Sequence, residues 1–147
     1  MEIDPRCKES FDRQGLMTLL GAELLEAADG RAVIEVPYCE DLTQQHGYFH
    51  GGVVTTIADT ASGYAAYTTM PPDSSVLTVE FKINLMNPAA GERLRAEARV
   101  RKAGRTLVVV AATVTAIRDG KAAQCGEMLG TFIVLRNTSD VEQRVLT

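Results

Sequence analysis

Between Leu42 and Pro72 the chain carries a single formal charge, Asp59, and the stretch after Gly51-Gly52 runs to Met70-Pro71-Pro72 without a proline. Proline lacks an amide hydrogen and restricts the residue before it, so one helix is expected over 51–69 and it must stop there. On a helical wheel Val53, Val54, Ile57, Ala61, Tyr64 and Ala65 form an apolar stripe, with Thr55, Thr56, Asp59, Gly63 and Ala66 opposite. That second face holds no lysine or glutamate. A helix face turned to water normally would, so a second subunit is the simplest cover for it.

The rest of the chain alternates with the period of strands. Asp29-Gly30 favours a type I′ hairpin between 22–27 and 31–38. Residues 76–86 put Leu77, Val79, Phe81, Ile83 and Leu85 on one face, and 93–102 set Leu94, Ala96, Ala98 and Val100 against Arg93, Arg95, Glu97, Arg99 and Arg101. Residues 106–117 are almost continuously apolar, as in a strand covered on both faces. Asp119-Gly120 signals another tight turn into a last strand over 122–135, where Gly126 and Gly130 suggest a bulge or a close backbone approach. A short helix over 10–20 is expected, with Ser10 as N-cap and Phe11, Leu16 and Leu19 or Leu20 turned inward. These elements predict an α+β fold: a curved antiparallel sheet of five to six strands wrapped around one long central helix. The 147 residues suit a single domain over 1–147, with 1–9 and 137–147 as loose tails.

Composition removes several function classes. Net charge is −4, against sequence-independent binding to nucleic acid, which needs a basic surface. No apolar stretch approaches the roughly 18 to 20 residues that span a bilayer, so no membrane association is expected. The opening Met1-Glu-Ile-Asp-Pro-Arg6 has no apolar core of a targeting signal, and Cys7, Cys39 and Cys125 are scattered without CxxC spacing. The chain therefore reads as cytoplasmic, with reduced thiols and no cofactor.

Asp59 is then a candidate for chemistry, as a general base for water or a nucleophile towards an acyl carbon. Gly51 and Gly52 open the helix, where free backbone N–H groups and the helix dipole can hold an anion or polarise a carbonyl. His46 and His50 are spaced i, i+4, but Gly47 and Gly51 interrupt a helix there and no third ligand has supporting spacing, so no metal is expected. The chain has no GxSxG elbow for a serine hydrolase.

The run His50-Gly-Gly-Val-Val-Thr-Thr-Ile-Ala-Asp59, followed by Leu77-Thr-Val-Glu-Phe-Lys-Ile-Asn-Leu-Met-Asn-Pro88, resembles the hot-dog-fold acyl-CoA thioesterases of the phenylacetate-pathway (PaaI) type. The likeness covers about residues 15–135. It implies the hot-dog fold and hydrolysis of an aryl- or medium-chain acyl-CoA to the free acid and coenzyme A, the thioester being substrate rather than cofactor. By the same resemblance Asp59 is the base or nucleophile, the Gly51 N–H polarises the thioester carbonyl, His50 supports that loop and Thr78 helps position water. Several members have Asn six residues before the histidine. This chain has Gln44 there and Gln45 next, and either could make similar hydrogen bonds. A binding module without turnover is the alternative on the same fold.

Eight helical residues separate Gly51 from Asp59, a rise of about 12 Å. One thioester carbon cannot approach both groups within about 3 to 3.5 Å, so the two must come from different subunits with antiparallel helices. A homodimer with shared sites is expected, and the resemblance implies pairing of dimers into a homotetramer. Arg93, Arg95, Arg99, Arg101, Lys102 and Arg105 are six of the 15 Lys and Arg residues. They form a basic strand face and turn, and the resemblance assigns contact with the phosphates of coenzyme A to the turn, hence to Arg101, Lys102, Gly104 and Arg105. Tyr48, Phe49, Tyr64, Tyr67 and Met70 are candidates for the acyl pocket, between subunits, or equally for the core.

Overall fold

In a computed structural model, which describes residues 1–138, three α-helices and six strands follow one another along the chain. They are α1 (Pro5–Asp12), α2 (Gly15–Leu20), β1 (Glu23–Ala28), β2 (Arg31–Pro37), α3 (Gly51–Tyr67), β3 (Ser74–Leu85), β4 (Arg93–Ala103), β5 (Leu107–Arg118) and β6 (Lys121–Arg136), with a 3-10 turn at Glu40–Leu42. All strand pairings are antiparallel, in the order β1-β2-β4-β5-β6-β3, so β3 is an edge strand. The helix α3 lies across the inner face of the sheet, which is the expected hot-dog arrangement.

Small side chains let the helix come close. Ala58, Ala61, Ala65 and Ala66 on α3 and Ala96 and Ala98 on β4 are all fully buried, so Ala66 belongs to the packed side and not to the open face expected for it. Asp29 and Gly30, and again Asp119 and Gly120, have positive φ at both central positions, the geometry that keeps a hairpin in phase with strand twist. Burial alternates along β5, so the expectation of cover on both faces is corrected. No second layer lies over the outer face among the described residues, and Val109, Ala111, Thr113 and Thr115 are only half-buried.

The N-terminal expectations also need correction. The helix over 10–20 is two helices, broken at Arg13-Gln14, where Gln14 takes an extended conformation as the cap of α2. Ser10 lies inside α1, whose true cap is Asp4. Its carboxylate accepts from the Arg6 N–H at 2.8 Å, with Pro5 in the first turn. The break rotates α2 so that Met17 and Leu20 are buried while Leu16 and Leu19 are exposed. Residues 1–9 are not a loose tail: Ile3 bridges Ala27, the Asp4 N–H donates to Ala27 O at 2.8 Å, and Cys7 is buried. At the other end the Thr138 N–H donates to Asp73 O at 3.2 Å, and the remainder of the expected tail, 139–147, lies outside the described residues.

The correction that matters most for function is in β3. Thr78 pairs with Phe132 and Glu80 with Thr131, so Val79 is an extra residue with no partner. This bulge reverses the phase of the strand. Phe132, Gly130, Met128 and Gly126 face inward on β6, and their partners Thr78, Phe81, Ile83 and Leu85 therefore also face inward, whereas Leu77 points out. Leu77 and Val79 thus do not share a face with Phe81, Ile83 and Leu85, as strict alternation would require. Leu77, Val79, Phe81 and Leu85 are all exposed, leaving an apolar edge.

Removing the α1 cap tests the ordered N-terminus. Asp4→Ala is expected to lower stability by about 1 kcal/mol at neutral pH, read by thermal or urea unfolding. The hydrogen bond from Arg6 holds the Asp4 carboxyl below its ordinary 3.8. A lowered folded value means stability present above 3.8 and lost as pH falls through the folded value, so wild type and variant should converge in strong acid.

Candidate active site

Two anchors fix the loop that leads into α3: the Phe49 N–H donates to Ala89 O at 3.0 Å and the His50 N–H to Leu42 O at 2.9 Å. His50 then caps the helix, its Nδ1 accepting from the Gly52 N–H at 2.8 Å, which leaves the ring proton on Nε2. Its carbonyl takes the N–H of Val53 at 2.9 Å. Among the described residues no acceptor meets the Gly51 N–H. The first turn therefore presents one uncommitted donor at the positive end of a 17-residue helix dipole.

That donor borders a cavity of about 280 Å³ lined by Gln44, Tyr48, Phe49, Leu85, Ala89 and Cys125 among others. A Cβ on Gly51 would come within 2.8 Å of Leu85 Cδ1, so a larger residue there would push the tip of the exposed Leu85 side chain aside. Gln44 is the glutamine in this cavity, its Oε1 held by the His46 N–H. Gln45 is exposed.

Asp59 sits two turns along, half-buried, with the Thr78 hydroxyl donating to its Oδ1 at 2.8 Å. Burial pushes the Asp59 carboxyl above its ordinary 3.8, and the Thr78 hydrogen bond opposes that rise. The carboxylate borders its own cavity of about 190 Å³, with Ser10, Gln14, Tyr64, Thr78 and Phe132 in its wall. No residue lines both cavities. The donor and the carboxylate, joined in the sequence by one motif, open in one chain into different spaces.

The basic residues divide in two. Arg95 Nε donates to Glu35 Oε1 at 2.6 Å, and Arg93 lies 3.9 Å from the same oxygen, so this end of the stripe is neutralised. Arg101, Lys102 and Arg105 are exposed and make no ion pair among the described residues, and Arg101 is itself a bulge between Val100 and Lys102. At Gly104 a Cβ would meet Leu107 O at 2.6 Å, so the turn is tight. This hairpin belongs to the far end of the sheet from Gly51. The Tyr38 N–H donates to Glu92 O near the start of β4, beside the α3 N-terminus, whereas Thr68 Oγ1, at the α3 C-terminus, accepts from the Gly30 N–H, and the Gly30 carbonyl accepts from the Val100 N–H. Within one chain Arg101, Lys102, Gly104 and Arg105 are not brought to the Gly51 donor. Tyr64, Tyr67 and Met70 are buried core, so of the aromatic candidates only Tyr48 and Phe49 line the Gly51 cavity.

Leu85, Cys125 and Gln14 were not picked out from the sequence. Leu85 had the signal of an apolar strand position. Cys125 and Gln14 had none, because bulges and the break between α1 and α2 bring them in.

The raised Asp59 value carries a stability consequence of opposite sign to that of Asp4. The folded chain holds this proton more tightly than the unfolded one, so the group favours the fold at low pH and costs stability as pH rises from 3.8 through the folded value. Asp59→Asn is therefore expected to melt a few degrees higher than wild type at neutral pH, with the advantage fading below pH 3.8.

The profile of the Thioesterase superfamily matches residues 46–123, the stretch from the capping loop through β5. A Halobacterium salinarum protein named only as an esterase is 33% identical, over 86% of this chain and 88% of its own. The 1,4-dihydroxy-2-naphthoyl-CoA hydrolase of Listeria monocytogenes is 30% identical, over 78% of this chain and 80% of its own. Among solved structures, a thioesterase family protein from Silicibacter pomeroyi superposes with a TM-score of 0.88 at 46% identity, covering 89% of this chain and 96% of that one. The E. coli PaaI protein shares the fold, with a TM-score of 0.76 at 20% identity over 92% and 96% of the two chains. A long helix capped by His50, an unpaired donor at Gly51 and a half-buried carboxylate at Asp59 thus stand within the matched span, and the chain belongs to the Thioesterase superfamily.

Proposed function

We propose that this protein hydrolyses an acyl-CoA thioester to the free acid and coenzyme A, at sites shared between two copies of the chain. The observation that carries the reading is the division described above: an uncommitted Gly51 N–H and a desolvated Asp59 carboxylate border cavities with no common wall. Each is half of a hydrolytic site. A second copy, related by a two-fold axis with its α3 antiparallel, would supply the missing half to both cavities at once.

The substrate carbonyl accepts from Gly51 N–H, and charge developing on its oxygen is held by that donor, the helix dipole and the Gln44 amide nearby. Asp59 of the second copy either takes a proton from water as it attacks the carbonyl carbon, or attacks directly to form a mixed anhydride that water then opens. Desolvation strengthens Asp59 as a base, and Thr78 fixes the oxygen it bonds so that the other is free to act. Collapse of the intermediate breaks the carbon–sulfur bond and coenzyme A leaves as its thiolate, so no dedicated acid is required. The apolar edge of β3, with Leu77, Val79, Phe81 and Leu85 exposed, supports a partner there. Pairing of such dimers into a tetramer and contact of Arg101, Lys102, Gly104 and Arg105 with the coenzyme phosphates belong to the same proposal.

Thiol release from a panel of acyl-CoA substrates tests the chemistry. Asp59→Asn should lower turnover on the order of a thousandfold. Acyl-CoA binding by wild type without thiol release would mark a binding module instead. Sharing of sites is tested by mixing. Gly51→Pro removes the N–H at a first-turn position whose backbone accepts proline, the tip of Leu85 moving aside for the ring. Heterodimers of Gly51→Pro with Asp59→Asn subunits should regain one working site each, and inactive heterodimers shown to have formed would contradict shared sites.

A further inference from the structure

We propose, resting on the hydrolytic reading above, that Gln14 takes part in the reaction as the second acceptor for the water that Asp59 activates, and that Tyr64 is the residue that positions it. The observation behind this is a relay of three side chains in the wall of the Asp59 cavity. Gln14 Nε2 donates to the Tyr64 hydroxyl at 2.8 Å, and that hydroxyl donates onward to Ser10 Oγ at 3.1 Å. With its proton directed to Ser10, the Tyr64 oxygen accepts from the Gln14 amide, which fixes the nitrogen end of that amide on the tyrosine. The other end, Oε1, meets no donor among the described residues.

The fold anchors this relay at both ends. At the break between α1 and α2 the Gln14 N–H donates to Phe11 O at 3.0 Å and the Gln14 carbonyl accepts from the Thr18 N–H at 3.2 Å, so the backbone is held on both sides. A polar residue at a helix cap usually turns its side chain back onto the first turn, as Asp4 does for α1. Gln14 makes no such bond and reaches Tyr64 instead. Tyr64 is 3% exposed and its ring packs against Phe11 with centroids 5.9 Å apart, which fixes the hydroxyl that Gln14 rests on. All three side chains and Asp59 belong to one chain, so they enter each shared site together from the same subunit.

Asp59 and Gln14 therefore offer two acceptors to one cavity. Thr78 occupies Asp59 Oδ1, and Oδ2 takes no hydrogen bond among the described residues. A water that donates one hydrogen to Oδ2 and the other to Gln14 Oε1 has both O–H bonds fixed, and its lone pairs are left for the carbonyl carbon held at Gly51 of the second copy. As the new carbon–oxygen bond forms, the O–H bond to Asp59 breaks and its proton passes to the carboxylate, while the hydrogen on Gln14 stays with the new hydroxyl. Collapse of the tetrahedral intermediate breaks the carbon–sulfur bond, coenzyme A leaves as its thiolate, and Asp59 returns its proton to that thiolate or to water. A contact made to the attacking water acts on the chemical step and not on acyl-CoA binding.

The experiment measures kcat and KM for thiol release on the acyl-CoA of the panel that wild type turns over fastest, and the partition of product between free acid and hydroxamate in added hydroxylamine. Gln14→Leu, which removes the acceptor at similar size, should lower kcat about tenfold with KM changed by less than about twofold. Tyr64→Phe should lower kcat about threefold or more, and the double variant should lose no more than Gln14→Leu alone, because both act on one contact. Hydroxylamine is a stronger nucleophile than water and depends less on being oriented, so its share of product should rise at least about threefold in Gln14→Leu. A variant that is only poorly folded lowers both routes by one factor. An unchanged kcat or an unchanged partition in Gln14→Leu overturns the proposal, as do losses that multiply in the double variant. Should one single variant show no cooperative melting transition, kcat and partition in the other decide. Absence of thiol release by wild type from every member of the panel would refute the hydrolytic reading and this proposal with it, whereas wild-type turnover that Gln14→Leu leaves intact refutes this proposal alone.

Discussion

Close contact between α3 and the sheet is the constraint on which the rest of the structure depends. Alanines line both sides of that contact, Ala58, Ala61, Ala65 and Ala66 above and Ala96 and Ala98 below, and none is exposed. Small side chains interdigitate little, so the helix comes down close, and its rotation is set by the few larger groups that flank them. Val54 is one of these. A Cβ on Gly126 would come within 3.0 Å of its Cγ1, so the strand beneath is bare of side chain where the helix presses on it. With rotation fixed, Asp59 has one direction to face, towards β3 and the Thr78 hydroxyl 2.8 Å away. The N-terminus is fixed likewise, held to the sheet by Phe49 and Ala89 and capped by His50.

The same closeness explains why so few charges attend the site. A helix packed on alanines carries little side-chain bulk to shield its polar groups, and each must find a partner or keep contact with solvent. His50 spends its ring nitrogen on Gly52, and Thr55 and Thr56 return their hydroxyls to the carbonyls of Gly51 and Gly52. The buried Ser62 hydroxyl finds no partner among the described residues, and Asp59 is left with desolvation as its dominant influence and a single hydroxyl to offset it. Sites that do chemistry often hold such an imbalance, because a carboxylate fully satisfied by its own chain has little basicity left for a substrate.

Much of this was legible in the residue order, for identifiable reasons. Gly51 and Pro71 punctuate α3, and Asp-Gly pairs announce two hairpins whose positive φ values only such residues adopt easily. His50, Gly51 and Asp59 stood out because a charge-free background made them visible, and Thr78 followed from resemblance. What could not be read arises from irregularity. The bulges at Val79, Arg101 and Cys125 leave the alternating pattern almost intact in composition while reversing its phase. Nor could residue order show that Arg93 and Arg95 converge on Glu35, which lies on β2, 58 and 60 positions earlier in the chain. The N-terminal helix is hidden in the residue order for a simpler reason: Asp4-Pro5 is a strong helix start, but the apolar pattern after it is sparse.

The bulge at Val79 also constrains how this family member can change. In an unbroken ladder, residues can be exchanged one by one while the count between two turns stays free to drift. Here the count itself carries information. Deleting one residue between Thr78 and Phe81 would heal the pairing with β6 and leave both on the inner face, whereas a deletion on either side of that pair would turn Thr78 away from Asp59 or turn some of Phe81, Ile83 and Leu85 outward. Strand β3 is thus two short strands in opposite phase joined at a fixed point, one holding the carboxylate's partner and the other covering the helix start. Insertions and deletions in β3 outside the bulge are expected to be rarer than substitutions, even at positions where almost any side chain would be accepted.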